Sequence, residues 1–134
     1  VEDRVGKELA ETSYAFGTMN ELGINISMGT DSPVEDLQTM NNVHCVVNRQ
    51  DLTMYPAGGW VPQERIDVYT AIDNYTIGSA YASFDENVKG RIKAGYYADF
   101  AILEENIFTV PTENIKDIQV HMTVLGGKTV YTNA

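Results

Sequence analysis

The sequence predicts an α/β fold, and two stretches carry that prediction. The run Ile24 to Met28 is short, apolar and bounded by glycines, which is typical of a buried strand in a parallel sheet covered by helices. Near the carboxyl end, residues 118–125 and 128–132 flank Gly126-Gly127, a pair that can take the positive φ angles of a two-residue hairpin turn. We therefore expect helices around a buried strand first and a small β unit afterwards.

Composition favours a folded domain and disfavours several classes of function. The chain has 134 residues, of which 43% are hydrophobic, enough for one domain with a core. Its net charge of -10, with only nine Lys and Arg residues, disfavours nucleic-acid binding. The single cysteine, Cys45, excludes an internal disulfide and is compatible with a reducing compartment. No stretch is long and apolar enough to span a membrane, so we predict a cytoplasmic protein without membrane or nucleic-acid partners.

Two helices are expected to flank the apolar run. The first spans Thr12 to Leu22, where a hydroxyl residue can cap the start and Gly23 suits a left-handed end. The second lies within Glu35 to Asn48, where apolar residues recur at helical spacing. His44 and Cys45 are adjacent in it and point in different directions, so they cannot jointly chelate a metal. We expect both to be ordinary packed or exposed side chains.

The second half of the sequence mixes turns, short helices and strands. The loop from Tyr55 to Pro62 contains paired glycines, and its Trp60 can fill a hydrophobic gap or gate a pocket. Asp67 can cap a helix, and another helical stretch should include Ala80 to Phe84. The pattern from Ala98 to Leu103 predicts a strand. A single capped turn and the final hairpin come after it.

Asp31 is the candidate for chemistry. It follows the apolar run directly, and polar groups at the carboxyl ends of buried parallel strands form the sites of α/β barrels and open sheets. The alternative is that Asp31 makes an Asx turn or caps the next segment. No other segment could pair in parallel with the run, and the chain begins at Val1 rather than Met. We therefore expect part of a longer chain, although processing would leave the same start.

Short motifs are spread along nearly the whole chain. They are Gly29-Thr30-Asp31-Ser32-Pro33-Val34, Arg49-Gln50-Asp51-Leu52, Gly58-Gly59-Trp60, Tyr75-Thr76-Ile77, Ala80-Tyr81-Ala82-Ser83-Phe84, residues 89–95, Ala98-Asp99-Phe100, Met122-Thr123-Val124 and Gly126-Gly127-Lys128. In this order, they resemble the carboxyl-terminal third of metal-dependent amidohydrolases. The resemblance is strongest to the family 3 amidohydrolases, some of which carry the label exoenzyme regulatory protein.

The resemblance implies a carboxyl-terminal fragment of a (β/α)8 TIM barrel together with part of its small β-sandwich. Residues 1–83 would be the last barrel elements, and residues 84–134 would be the sandwich segment with the final hairpin. The self-association of this chain, or its contact with a missing amino-terminal part, would cover surfaces left open by the fragment.

The resemblance also implies that Asp31 is both a residue of the metal site and a metal-proximal general base that takes a proton from metal-bound water. The cofactor would be a divalent metal, zinc being the expected ion, and the substrate a small-molecule amide or cyclic amide. Neither His44 nor His121 matches a ligand position of the family, so we expect the isolated chain to be inactive and to hold no metal. The alternative is a non-catalytic binding or regulatory module on a hydrolase-derived scaffold.

Overall fold

The computed structural model describes residues 1–133, in which short helices precede a small sheet. The α-helices are α1 (Glu2–Val5), α2 (Lys7–Ala10), α3 (Phe16–Glu21), α4 (Thr39–Asn48), α5 (Val68–Tyr75) and α6 (Ile77–Ala82). Two 3₁₀ helices span Pro62–Glu64 and Thr112–Asp117. The strands are β1 (Phe100–Leu103), β2 (Val120–Leu125) and β3 (Lys128–Thr132). This arrangement confirms an α/β fold, while membership of a barrel stays a prediction.

The sheet is antiparallel, in the order β1-β2-β3. Phe100 pairs with Val124 on one side, and Met122 pairs with Thr132 on the other. Gly126 and Gly127 connect β2 to β3 with φ angles of 57° and 75°, both in the left-handed region that glycine adopts without strain. The predicted hairpin is therefore confirmed.

The buried core joins helix α4 to the 3₁₀ helix at Thr112–Asp117. Its members come from both sides of the predicted boundary after residue 83, and that division stays a prediction. The buried cluster consists of Met40, Val43, Val46, Val47, Ile66, Ala71, Ile107, Ile115 and Ile118. Ile115 and Val43 are completely buried, so the contact between these two elements excludes water and stabilises the fold.

The predicted helices are present with shifted ends. Helix α3 begins at Phe16 rather than Thr12, because Tyr14 has a φ of 54° and interrupts the helical path. Helix α4, Thr39–Asn48, lies within the predicted stretch from Glu35 to Asn48 and ends with it. Asp67 caps α5 as predicted: its carboxylate accepts a hydrogen bond of 2.8 Å from the Thr70 amide.

Helix α6 covers Ile77–Ala82, so the predicted stretch from Ala80 to Phe84 was placed too late. Phe84 has a φ of 60°, which is incompatible with a continuing right-handed helix. None of the helices within residues 1–133 has the length and apolar character needed to cross a bilayer.

The expected strand at Ile24 to Met28 is not a strand in the structure. A strand needs a partner for its backbone groups, and within residues 1–133 no strand pairs with this run. Ile26 is buried, but Ile24 is 49% exposed. The prediction of a buried strand was wrong for these residues, because apolar content indicates burial but does not supply hydrogen-bonding partners, which the sequence itself predicts to be missing from this chain.

Candidate functional site

Asp31 lies on the surface, three residues beyond Met28. Its φ of 52° is in the left-handed region, which Asp tolerates better than most residues. Its main-chain oxygen accepts a hydrogen bond of 2.8 Å from the Val34 amide and closes a turn. The turn therefore uses the backbone of Asp31. Within residues 1–133 its exposed carboxylate makes no hydrogen bond, which leaves both oxygens free for a ligand.

The run that leads to Asp31 is anchored by helices rather than by strands. The Met28 amide donates to the Asn74 carbonyl of α5 at 3.2 Å. The Ser79 hydroxyl of α6 lies 3.2 Å from the Ser27 hydroxyl. From α4, the Asn42 amide group donates to the Gly29 carbonyl at 3.4 Å. These contacts give the segment before Asp31 a fixed position although it belongs to no sheet.

His44 and Cys45 are packed side chains, as the sequence predicted. His44 is completely buried, with Nε2 3.3 Å from the Asp51 carbonyl and Nδ1 3.1 Å from the Asn48 side-chain nitrogen. Cys45 is half-buried, and burial raises the pKa of its thiol, as do, to a smaller extent, the negative charges of Glu35 and Asp51. A high thiol pKa disfavours the reactive thiolate.

The described residues do not fit a metal site. No group of three His, Cys, Asp or Glu side chains within residues 1–133 could hold a metal ion. Asp31 supplies one carboxylate, whereas catalytic zinc takes about three protein ligands. His121 is exposed on β2, and His44 is enclosed among backbone carbonyls. The metal implied by the resemblance therefore cannot be held by these residues alone.

A second polar cluster was not predicted as a unit. Arg49 is only 7% exposed, and its guanidinium donates from Nε to the Trp60 carbonyl at 3.0 Å and from Nη1 to the Tyr14 carbonyl at 3.0 Å. Burial lowers the pKa of Arg49, an effect that the charge of Glu64 partly offsets. The sequence signal was the Arg49-Gln50-Asp51-Leu52 motif, which marked the residue without giving its partners.

Trp60 is held against Arg49 and the amino-terminal segment. Its amide donates to the Arg49 carbonyl at 2.6 Å, and its ring centroid lies 4.8 Å from the guanidinium carbon. The indole nitrogen donates to the Glu2 carboxylate at 2.8 Å. These contacts hold Trp60 between an arginine and a carboxylate, and both its gap-filling role and its gating role stay predictions.

The comparison with family models establishes which protein family the chain belongs to. A model described as "Amidohydrolase family" matches residues 1–131. The chain belongs to the amidohydrolase family. The resemblance inferred from the motifs is thereby confirmed, and the match covers the Asp31 turn, the Arg49 cluster and the sheet together.

Three relatives resemble this amidohydrolase-family chain over most of its length. "Putative amidohydrolase YtcJ" of Bacillus subtilis (strain 168) is 31% identical over 96% of this chain and 24% of that protein. "Protein LONG AFTER FAR-RED 3" of Arabidopsis thaliana is 31% identical over 98% of this chain and 22% of its own length. "N-substituted formamide deformylase" of Arthrobacter pascens is 25% identical over 85% of this chain and 20% of its own. The chain thus spans under a quarter of each relative, and no solved structure matches it significantly.

Proposed function

We propose that this amidohydrolase-family chain contributes its Asp31 carboxylate, as general base, to the hydrolysis of amide or cyclic amide C–N bonds by a longer polypeptide. The observation that carries the proposal is the exposed carboxylate, free of hydrogen bonds within residues 1–133, at the end of an anchored segment. A base must be able to reach water and substrate, and a carboxylate already engaged as a cap would be less available. Family membership and the name of the formamide deformylase support the reaction class.

The proposed reaction consumes one water molecule for each C–N bond that is cleaved. The water oxygen bonds to the amide carbon while Asp31 accepts a proton from that water. The C–N bond then breaks, and the proton passes from the carboxyl group to the leaving nitrogen. The products are a carboxylic acid and an amine, or one ring-opened molecule when the substrate is cyclic. Asp31 ends the cycle as the carboxylate with which it began.

Groups outside this chain must complete such a site. Because the described residues do not fit a metal, we place the predicted divalent ion, zinc by expectation, among ligands from the rest of the polypeptide. The isolated chain should therefore release no amine from amide substrates. Its small-molecule specificity would depend on loops of the complete protein.

A second candidate function is a binding or regulatory module without catalysis. The relative named LONG AFTER FAR-RED 3 is as similar to this chain as YtcJ is, at 31% identity, and its name gives no enzymatic activity. A scaffold of this family that holds no metal would bind small molecules without cleaving them. The complete polypeptide distinguishes the two functions, because a module of this kind would lack both bound metal and amine release.

The experiment offers secondary amides, cyclic amides and N-substituted formamides to the longest natural polypeptide that carries this chain, and measures the amine released or, for cyclic amides, the ring-opened product. We expect Asp31→Asn to lower kcat by about 10²- to 10⁴-fold, the usual contribution of a positioned base. The matched control is Asp36→Asn, which changes an exposed neighbouring carboxylate and keeps an acceptor for the Leu37 amide. Equal turnover in wild type and Asp31→Asn would overturn the role of Asp31.

A further inference from the structure

The break between α5 and α6 presents a backbone acceptor to the run before Asp31. Helix α5 ends at Tyr75, and Thr76 has φ and ψ angles of -110° and -75° before α6 begins at Ile77. Near this break, the Asn74 carbonyl accepts from the Met28 amide at 3.2 Å and from the Ser79 hydroxyl at 3.2 Å. A helix carbonyl thus takes the place that a neighbouring strand would occupy.

Gly78 lets this helix break approach the run closely. A Cβ atom on Gly78 would overlap the Ile26 carbonyl oxygen and lie 3.1 Å from the Ile26 carbonyl carbon. Gly78 does not have a positive φ, so its backbone is open to any residue. The glycine is needed for space alone. Since Ala is the better helix former by up to about 1 kcal/mol, any loss on Gly78→Ala must come from this contact.

We propose that Gly78 is a positioning residue for Asp31. Because Gly78 has no side chain, α6 can pack directly against the Ile26–Met28 backbone. The hydrogen bond from Met28 to Asn74 then fixes this segment, which leads to Asp31 three residues later. The catalytic consequence rests on the proposed function, whereas the structural part is independent of it. A displaced general base loses rate because proton transfer requires hydrogen-bond reach.

The control is Gly17→Ala, which creates a milder clash with backbone elsewhere in the fold. A Cβ on Gly17 would lie 2.9 Å from the Gln63 carbonyl oxygen and 3.0 Å from Glu64 Cα, and Gly17 also lacks a positive φ. Both variants overcrowd a helix packed against backbone, but only Gly78→Ala pushes on Ile26. Ser79→Ala is the milder second variant, because it removes the hydroxyl contacts to Ser27 and Asn74 without adding bulk.

The first measurement is amide hydrogen exchange at Met28 in the longest natural polypeptide that carries this chain, read by mass spectrometry on peptides that contain this residue. We expect exchange at Met28 to be at least about tenfold faster in Gly78→Ala, moderately faster in Ser79→Ala, and unchanged in Gly17→Ala. If Gly78→Ala does not fold by circular dichroism, Ser79→Ala carries the test. Unchanged exchange at Met28 in every folded variant of Gly78 and Ser79 would overturn the proposal.

The second measurement is amine release by the longer polypeptide with the same variants. We expect Gly78→Ala to lower kcat by about 100-fold with KM within about twofold of wild type, and Gly17→Ala to change kcat by less than about threefold. Similar losses in both glycine variants would reduce Gly78 to a general packing residue and overturn its positioning role. An active Asp31→Asn would defeat the proposed function, yet the exchange at Met28 would still decide whether Gly78 seats the segment.

Discussion

The Glu64 carboxylate binds Thr18 twice, accepting 2.8 Å and 2.6 Å hydrogen bonds from the Thr18 amide and hydroxyl, respectively. Glu64 is only 7% exposed, and this pair joins helix α3 to the 3₁₀ helix at Pro62–Glu64. The two hydrogen bonds from Thr18, first the hydroxyl and then the amide, hold the pKa of Glu64 below its ordinary value of 4.5.

The stabilising effect of Glu64 should depend on pH. Because its folded pKa is lowered, the contribution is complete above pH 4.5 and is lost as the pH falls through the folded value. We expect Glu64→Gln to have a lower free energy of unfolding than wild type at pH 7, and we expect the difference between the two proteins to become smaller in acid. Urea unfolding at several pH values measures this difference. Glu105→Gln, at an exposed position, is the control, and a gap that widens below pH 4.5 would contradict this assignment.

Arg49 should be essential for the environment of Trp60. Replacement by Met leaves the Trp60 and Tyr14 carbonyls without their donors, which we expect to cost about 2–4 kcal/mol of unfolding free energy. The chain has one tryptophan, so its fluorescence emission reports this site alone. We expect a shifted emission in Arg49→Met and none in Arg91→Met, where the side chain is exposed. Identical spectra and stabilities in the two variants would disprove the assignment.

The hairpin turn should discriminate between side chains at Gly126. Its φ of 57° is accessible to Asn, whereas a β-branched residue is strained there. We expect Gly126→Asn to stay within about 0.5 kcal/mol of wild type and Gly126→Val to lose about 1–2 kcal/mol. Thermal unfolding followed by circular dichroism measures both variants. Equal stability of the two would show that the turn relaxes to another conformation.

Residues that are close together in the sequence were enough to predict several elements. Asp67 caps α5 through the Thr70 amide, three residues away, and Gly126-Gly127 forms the turn of a hairpin. In both cases the sequence contains the donor, the acceptor and the permissive backbone within a few residues. Such features depend little on the rest of the fold, which is why a single sequence reveals them.

Contacts between residues that lie far apart in the sequence could not be predicted. The bonds from Thr18 to Glu64 span 46 residues, and no periodicity relates those positions. The run at Ile24 to Met28 shows the same limit, because its apolar pattern predicted burial but could not reveal that a helix break supplies the acceptor. The role of Asp31 after that run stays a prediction. Nothing in the sequence indicated that Gly78 and Ser79, about fifty residues later, contact the segment before it.

Asp31 is tested most directly by removing its carboxylate and then supplying another. Glycine accepts the φ of 52° and vacates the place of the carboxylate, so Asp31→Gly is the appropriate variant of the longer polypeptide. The measurement is amine release from secondary amides other than formamides, with and without added formate, because formate is itself the acid product of a formamide. We predict a loss of about 10²- to 10⁴-fold that formate partly restores, because formate can accept the proton in place of Asp31. Wild-type turnover in Asp31→Gly without formate would contradict the assignment of Asp31 as the base.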